Sequence, residues 1–148
     1  AFLLNRSSDL RMARGSHTHG ILGMASVQNF VALQSTVEMA LDGSANSEFA
    51  SGRFISGPGG APDFAFGASI ATGGRSIIAM PSTAAKGTVS RIVGRLGEGA
   101  PTTLSSYLAD VVVTEFGAVE LRGKTLSERA ELLTSIAHPE HRESLSVP

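Results

Sequence analysis

The stretch Ile55-Ser-Gly-Pro-Gly-Gly-Ala-Pro-Asp-Phe64 restricts this chain more than any other. Gly57, Gly59 and Gly60 remove three side chains from a short run, and Pro58 and Pro62 stiffen the backbone between them. A ligand can then lie directly against backbone N–H groups. Pro62 and the mixed run to Ile70 predict a helix that opens with proline in its first turn. A glycine loop feeding a helix N-terminus favours negative charge, either a phosphate or a developing oxyanion. The plainer alternative is a tight turn between two elements.

A chain of 148 residues with 42% hydrophobic content is one domain with a real core. Its 12 basic and 13 acidic residues give a net charge of −1, so nothing supports a polyanionic nucleic-acid partner. Cysteine is absent, which excludes disulfides, thiolate metal sites and a thiol nucleophile. No apolar run approaches membrane-spanning length, and no basic-then-apolar leader opens the sequence. The first residue is Ala, which raises the expectation of a processed or excised piece of a longer protein. The 17 glycines fall at the ends of apolar runs, as in an α/β chain with short turns.

From residue 1 to residue 23 periodicity is weak: Arg6, Arg11 and Arg14 lie among Ser7, Ser8 and Asp9, before Ser16-His-Thr-His-Gly20. On a strand, His17 and His19 would share a face and could ligate a metal, but a polar loop is the expectation. Phe30-Val-Ala-Leu33 and Thr36-Val-Glu-Met-Ala-Leu41 read as strands, and Asp42-Gly43 predicts a hairpin returning over residues 44–49. Glu38 lies within the second strand, and an exposed strand-face carboxylate is expected there over a catalytic one.

Gly73-Gly74 ends the predicted helix, and Arg75-Ser-Ile-Ile-Ala-Met80 reads as a buried strand closed by Pro81. Residues 82–91 form a small-residue loop carrying Lys86 and Arg91, without the spacing of a P-loop. Lys86 could meet a phosphate or be simply solvated. Residues 94–106 are a connector. Asp110-Val-Val-Val-Thr-Glu-Phe-Gly117 is a strand with Glu115 at its carboxyl end, the edge where ligands sit in open α/β sheets. Its alternative role is to orient neighbouring backbone. Thr125-Leu-Ser-Glu128 is a capping box for an amphipathic helix, stopped by Pro139, which starts another. His138 and His141 flank that junction, with a terminal cap preferred to a metal site.

Seven segments in register carry a resemblance: Asn29-Phe-Val-Ala-Leu-Gln-Ser, Ser56-Gly-Pro-Gly-Gly-Ala-Pro-Asp-Phe64, Ser76-Ile-Ile-Ala-Met-Pro-Ser-Thr83, Ser90-Arg-Ile-Val93, Val112-Val-Thr-Glu-Phe-Gly117, Leu121-Arg-Gly-Lys-Thr-Leu-Ser-Glu-Arg129 and Ile136-Ala-His-Pro-Glu-His-Arg142. From Ser16 onward the chain resembles the C-terminal domain of the acetyl-CoA hydrolase/transferase family, which includes 4-hydroxybutyrate, succinyl and butyryl CoA-transferases. The resemblance implies an open CoA-transferase-like α/β domain, with helices packed on a mostly parallel sheet, spanning residues 1–148. It also implies coenzyme A as cofactor, acyl-CoA and a small carboxylate as substrates, no metal, a cytoplasmic enzyme and a homo-oligomer.

In that family a glutamate attacks the acyl-CoA thioester, and exchange proceeds through an acyl-glutamyl anhydride and a glutamyl-CoA thioester. By resemblance, Gly60 supplies a backbone N–H to the oxyanion and His19 lies beside the thioester carbonyl. Val37, Ser56, Gly57, Gly59, Gly60 and Lys86 correspond to the CoA site, Lys86 at its polyanionic end. The family's nucleophilic glutamate precedes the segment matching Ala1, in a Gly-x-His-x-Glu-like stretch. These residues lack that stretch, so the chain is expected to need an N-terminal domain or chain and to be inactive alone. Ala40 replaces a usual Asp, which puts the hairpin's hydrogen bonding in question. Transfer is expected over hydrolysis. The alternatives are a complete enzyme with Glu115 as nucleophile, and a non-catalytic acyl-CoA-binding or assembly module.

Overall fold

The computed structural model describes residues 12–145, so Arg6, Ser7, Ser8, Asp9 and Arg11 lie outside the described residues. Two short helices, α1 (Gly15–Thr18) and α2 (Ile21–Ala25), lead into β1 (Val31–Gln34). Then follow β2 (Glu38–Ala40), β3 (Ala45–Asn46), β4 (Phe49–Ala50), β5 (Arg53–Phe54) and α3 (Ala61–Ile70). Next come β6 (Arg75–Ala79), β7 (Thr83–Ala84), β8 (Val89–Ser90) and β9 (Ile92–Val93). The chain continues through β10 (Val111–Thr114), β11 (Gly117–Glu120), α4 (Leu126–Ser135) and α5 (Pro139–Arg142).

The main sheet has the order β1-β6-β10-β11. β1 and β10 both run parallel to β6, with Leu33 opposite Ile77 and Val112 opposite Ile78. β11 closes the edge antiparallel, with Thr114 opposite Gly117. The expected mostly parallel sheet covered by helices is therefore present. Strand alternation divides its faces. Ala32, Ser76, Ile78 and Val112 are buried on the face under α3, whereas Val31 and Leu33 are exposed on the other. Gly67 of α3 meets α2 closely, since a Cβ there would lie 2.9 Å from Met24 Cβ. The core centres on Met39, Ile78, Ile92, Val112, Leu121 and Leu133.

Sequence and structure part in four places. The hairpin at Asp42-Gly43 forms and is closed: Ala40 N–H donates to Ser44 O and Asp42 Oδ1 accepts from Ser44 N–H. Its returning strand ends at Asn46, however, and β4–β5 is a separate hairpin. Buried Asn46 causes the break, because its Oδ1 accepts from Glu48 and Phe49 N–H, both at 2.9 Å, in place of a ladder. The loop over residues 82–91 is itself a hairpin, β7–β8. His17 falls within a helical turn rather than a strand, and Glu38 is half-buried, accepting from Asn46 Nδ2 and Gly97 N–H. The Thr125–Glu128 capping box is complete, and His138 Nδ1 caps α5 by accepting from Glu140 N–H.

Candidate functional site

The crossover from α3 into β6 fixes where the glycine loop lies. α3 runs back against the strand direction, and its C-terminus feeds β6 through Gly73-Gly74. Its N-terminus, and the loop before it, therefore stand at the carboxyl edge of the parallel strands. That edge is the usual ligand position in open α/β sheets. Gly59 sits at φ +58°, a left-handed conformation that its lack of a Cβ makes inexpensive. Pro62 occupies the first turn of α3, and no side chain caps that end. Among the described residues, the N–H groups of Gly57, Gly59 and Gly60 donate to no partner.

Of these three, Gly57 and Gly60 border a cleft of about 430 Å³, lined also by Leu33, Gln34, Ser35, Ser47, Ser56, Pro58, Ala61 and Phe64. Ser56 is held there by donating from Oγ to Ser47 O at 2.9 Å. Ser47 is fixed in turn by Thr103 Oγ1, which accepts its N–H. His19 joins this group edge-on to Phe64, with ring centroids 5.3 Å apart, and Thr18 Oγ1 contacts its Nδ1 at 2.6 Å. Two distant stretches singled out in the sequence, around His19 and around Gly60, thus meet on one aromatic ring.

A second group forms farther along the same edge. Glu115 accepts from Ser82 N–H at 2.8 Å through Oε2 and from Ser82 Oγ at 2.7 Å through Oε1. The Ser82 hydroxyl, first among the causes, holds this carboxyl below its ordinary value. Ser82 O accepts from Arg91 N–H, and the Arg91 guanidinium donates to the carbonyls of Val37, at 2.7 Å, and Thr36. Burial lowers the Arg91 pKa, and the charge of Glu115 opposes that shift. Val37 is therefore tied to the Glu115 group and does not line the glycine cleft.

Lys86 is exposed at the tip of β7–β8, with Ala85 at φ +49° and Lys86 at φ +59°. Left-handed geometry is costly for residues with a Cβ, and such strain tends to persist where surrounding structure enforces it. Here His141 Nε2 meets Gly87 O at 3.0 Å and holds the turn to α5. Among the described residues Lys86 has no ion pair, and no group of three or more His, Asp or Glu side chains could hold a metal. No described helix is long and apolar enough to cross a membrane. A larger groove of about 890 Å³ runs along α4 and shares no lining residue with the glycine cleft.

Sequence reasoning passed over Gln34 and Asn46. A polar residue closing the apolar run of β1 was the available signal for Gln34, the same signal that singled out Glu115.

Comparison with known proteins gives a consistent result. A family model described as the acetyl-CoA hydrolase/transferase C-terminal domain matches residues 2–147. The chain is 50% identical over 117 residues to the 4-hydroxybutyrate coenzyme A transferase of Clostridium kluyveri, covering 79% of this chain and 27% of that protein. It is 44% identical over 118 residues to the succinyl-CoA:cyclohexane-1-carboxylate CoA transferase of Geobacter metallireducens, covering 80% and 27%. The crystal structure of RipA from Yersinia pestis superposes with a TM-score of 0.74 at 41% identity, covering 87% of this chain and 27% of RipA. The chain thus spans only about a quarter of the length of these relatives.

Proposed function

This chain belongs to the acetyl-CoA hydrolase/transferase family as its C-terminal domain, and from that premise we propose that it completes the active site of a cytoplasmic CoA-transferase. In this reading a glutamate outside these 148 residues attacks the thioester carbonyl of acyl-CoA. The C–S bond breaks, CoA thiolate leaves and an acyl-glutamyl anhydride forms. The thiolate then attacks the glutamyl carbonyl, giving a glutamyl-CoA thioester and releasing the first carboxylate. An acceptor carboxylate reverses the sequence and leaves as the new acyl-CoA. Each attack places negative charge on a carbonyl oxygen, which preorganised N–H donors stabilise strongly.

The observation carrying this reading is the set of unpartnered amides at Gly57, Gly59 and Gly60, of which Gly57 and Gly60 border a cleft at the carboxyl edge. Gly60 N–H serves the oxyanion, with His19 beside the same carbonyl through its position on Phe64. Ser56, Gly57 and Gly59 contribute to the CoA surface, and the ammonium of Lys86 meets its phosphates. Glu115 is less suited to nucleophilic attack, because Ser82 occupies both its oxygens and its pKa is depressed. Transfer is favoured over hydrolysis because the curated relatives named above are transferases.

Borohydride reduction during turnover of the full-length protein, followed by peptide mass mapping, tests this. The reductant converts a glutamyl thioester to the alcohol. Reduction at a glutamate outside residues 1–148 is expected. Reduction at Glu115 would instead identify that residue as the nucleophile. CoA binding with no modified carboxylate would identify a non-catalytic module.

A further inference from the structure

The runs Ile77-Ile-Ala-Met80 of β6 and Val111-Val-Val113 of β10 are apolar at every position and do not alternate with polar residues. Such strands carry hydrophobic side chains on both faces of the sheet, the pattern of a parallel sheet covered on both sides. Here one face is covered: Ile78 and Val112 point to it and join the core. On the other face the strand register sets Leu33, Ile77 and Val111 in one row, and Ala79, Val113 and Ala118 in the next. Leu33 is 69% exposed, and Val31 on the same face is 53% exposed. Among the described residues, none of the six belongs to the core or to the side chains packed against it. Arg75 and Glu120, the charged residues of these strands on this face, pair with each other at 2.7 Å. The centre of the face therefore offers an occupant only apolar contact.

We propose that this open face seats the N-terminal part of the full-length protein, which lays an apolar helix surface across the two rows. Helices are the usual cover of a parallel sheet. In the relatives named above about three quarters of the length lies outside the matched stretch, and the matching family model describes a C-terminal domain. The size of the face argues against a second copy. Strand spacing of about 4.8 Å and a rise of about 3.3 Å per residue make it about 15 Å square, roughly 200 Å². A stable complex of separate chains buries about 800 Å² on each partner, so a second copy held by this face alone would dissociate. A segment of the same polypeptide needs far less, because the covalent link keeps its effective concentration high. Leu33 is also a wall of the glycine cleft. The occupant of the face therefore borders that cleft, where the proposed function requires a glutamate from outside these residues. The inference rests on that reading for its role, and on the strand register for its place.

Crosslinking and footprinting of the full-length protein test this. Val31→p-benzoylphenylalanine puts a photoprobe at the edge of the face, and it should give crosslinks at monomer mass to peptides preceding residue 1. Covalent dimers, or crosslinks confined to residues 1–148, would overturn the proposal. Hydroxyl-radical labelling should modify Leu33 as slowly as buried Ile78 and Val112, and should modify Val89, 52% exposed on β8, much faster. Equal rates at Leu33 and Val89 would also overturn it. Leu33→Asp should lower the thermal midpoint by at least about 3 °C and Val89→Asp by less than about 1 °C, since a charge is costly only on covered apolar surface. Equal shifts would count as a third refutation. None of these readouts needs turnover. A covered face in a protein without CoA exchange would therefore overturn the functional reading and leave the docking surface standing.

Discussion

At the amino end of β6 and β10, Arg75, Asp110, Glu120 and Arg122 close on one another. Asp110 Oδ2 accepts from Arg75 Nε and Arg122 Nη2, both at 2.9 Å, and Arg75 Nη2 reaches Glu120 Oε1 at 2.7 Å. At the carboxyl end of β1, the amides of the glycine loop and the carboxamide of Gln34 meet nothing. Both ends carry polar groups on the same sheet. The amino end uses them to join strands, since Arg122 also donates to Gly74 O and ties the turn before β6 to the turn after β11. The carboxyl end keeps them available. The amino end also leaves Ser76 Oγ and Asp110 Oδ1 without a hydrogen-bond partner, so the difference between the ends rests on the exposed glycine amides and not on unmet groups alone.

The largest effect should come from Gly60→Pro in the full-length enzyme, which removes one amide N–H. Gly60 lies at φ −91°, near the proline range, and its N–H serves no internal bond. Turnover should fall by about 10²–10³, the loss typical of one oxyanion donor. Gly60→Ala is the control, because it brings the same Cβ to within 3.2 Å of the Phe64 ring but keeps the amide. Steady-state kinetics giving equal rates for the two variants would break the contrast between the sheet ends.

Asp110→Asn should do the reverse. Weakening two charge-assisted bonds at the amino end should cost about 1–3 kcal/mol of stability. That lowers the thermal midpoint by about 2–4 °C per kcal/mol and leaves turnover unchanged. A calorimetric scan beside a rate measurement checks both halves. Thr125→Ala, at the capping box of α4, should cost about 1 kcal/mol by chemical denaturation.

The smallest effect sharpens the contrast, because Glu115 sits at the carboxyl edge yet is fully engaged with Ser82. Its folded pKa is depressed below the ordinary 4.5, so its stabilisation is present above that value and disappears as pH falls through the lower folded pKa. Glu115→Gln should therefore flatten the acid limb of the stability curve, by less than about 1 kcal/mol for so exposed a group. Exchange activity should survive. Denaturation midpoints measured across the acid range, together with one turnover assay at neutral pH, read both outcomes.

Much of this architecture was legible locally. The capping box at Thr125, the proline opening of α3, the turn at Asp42-Gly43 and the apolar runs of β1, β6 and β10 all depend on residues a few positions apart. The glycine loop was legible for the same reason, as was Glu115 at the end of its strand. Asn46 was not, because nothing in its neighbourhood signals that it will be buried and turn the chain away from β3. The β7–β8 hairpin was missed because its turn sets Ala85 and Lys86, as well as Gly87, in left-handed geometry, where glycine or asparagine is usual.

The sequence by itself determined the class of the chain, the starts of α3 and α4, and the presence of a backbone suited to an anion. Short-range sterics and period fix such features before any tertiary contact forms. Only the tertiary structure decided which polar groups are engaged and which are free. Glu115 finds Ser82 across 33 positions and Arg91 finds Val37 across 54, while Gln34 and the glycine amides find no internal partner at all. Hydrogen-bond satisfaction is a property of distant segments brought together, and for that reason a string of residues does not reveal it.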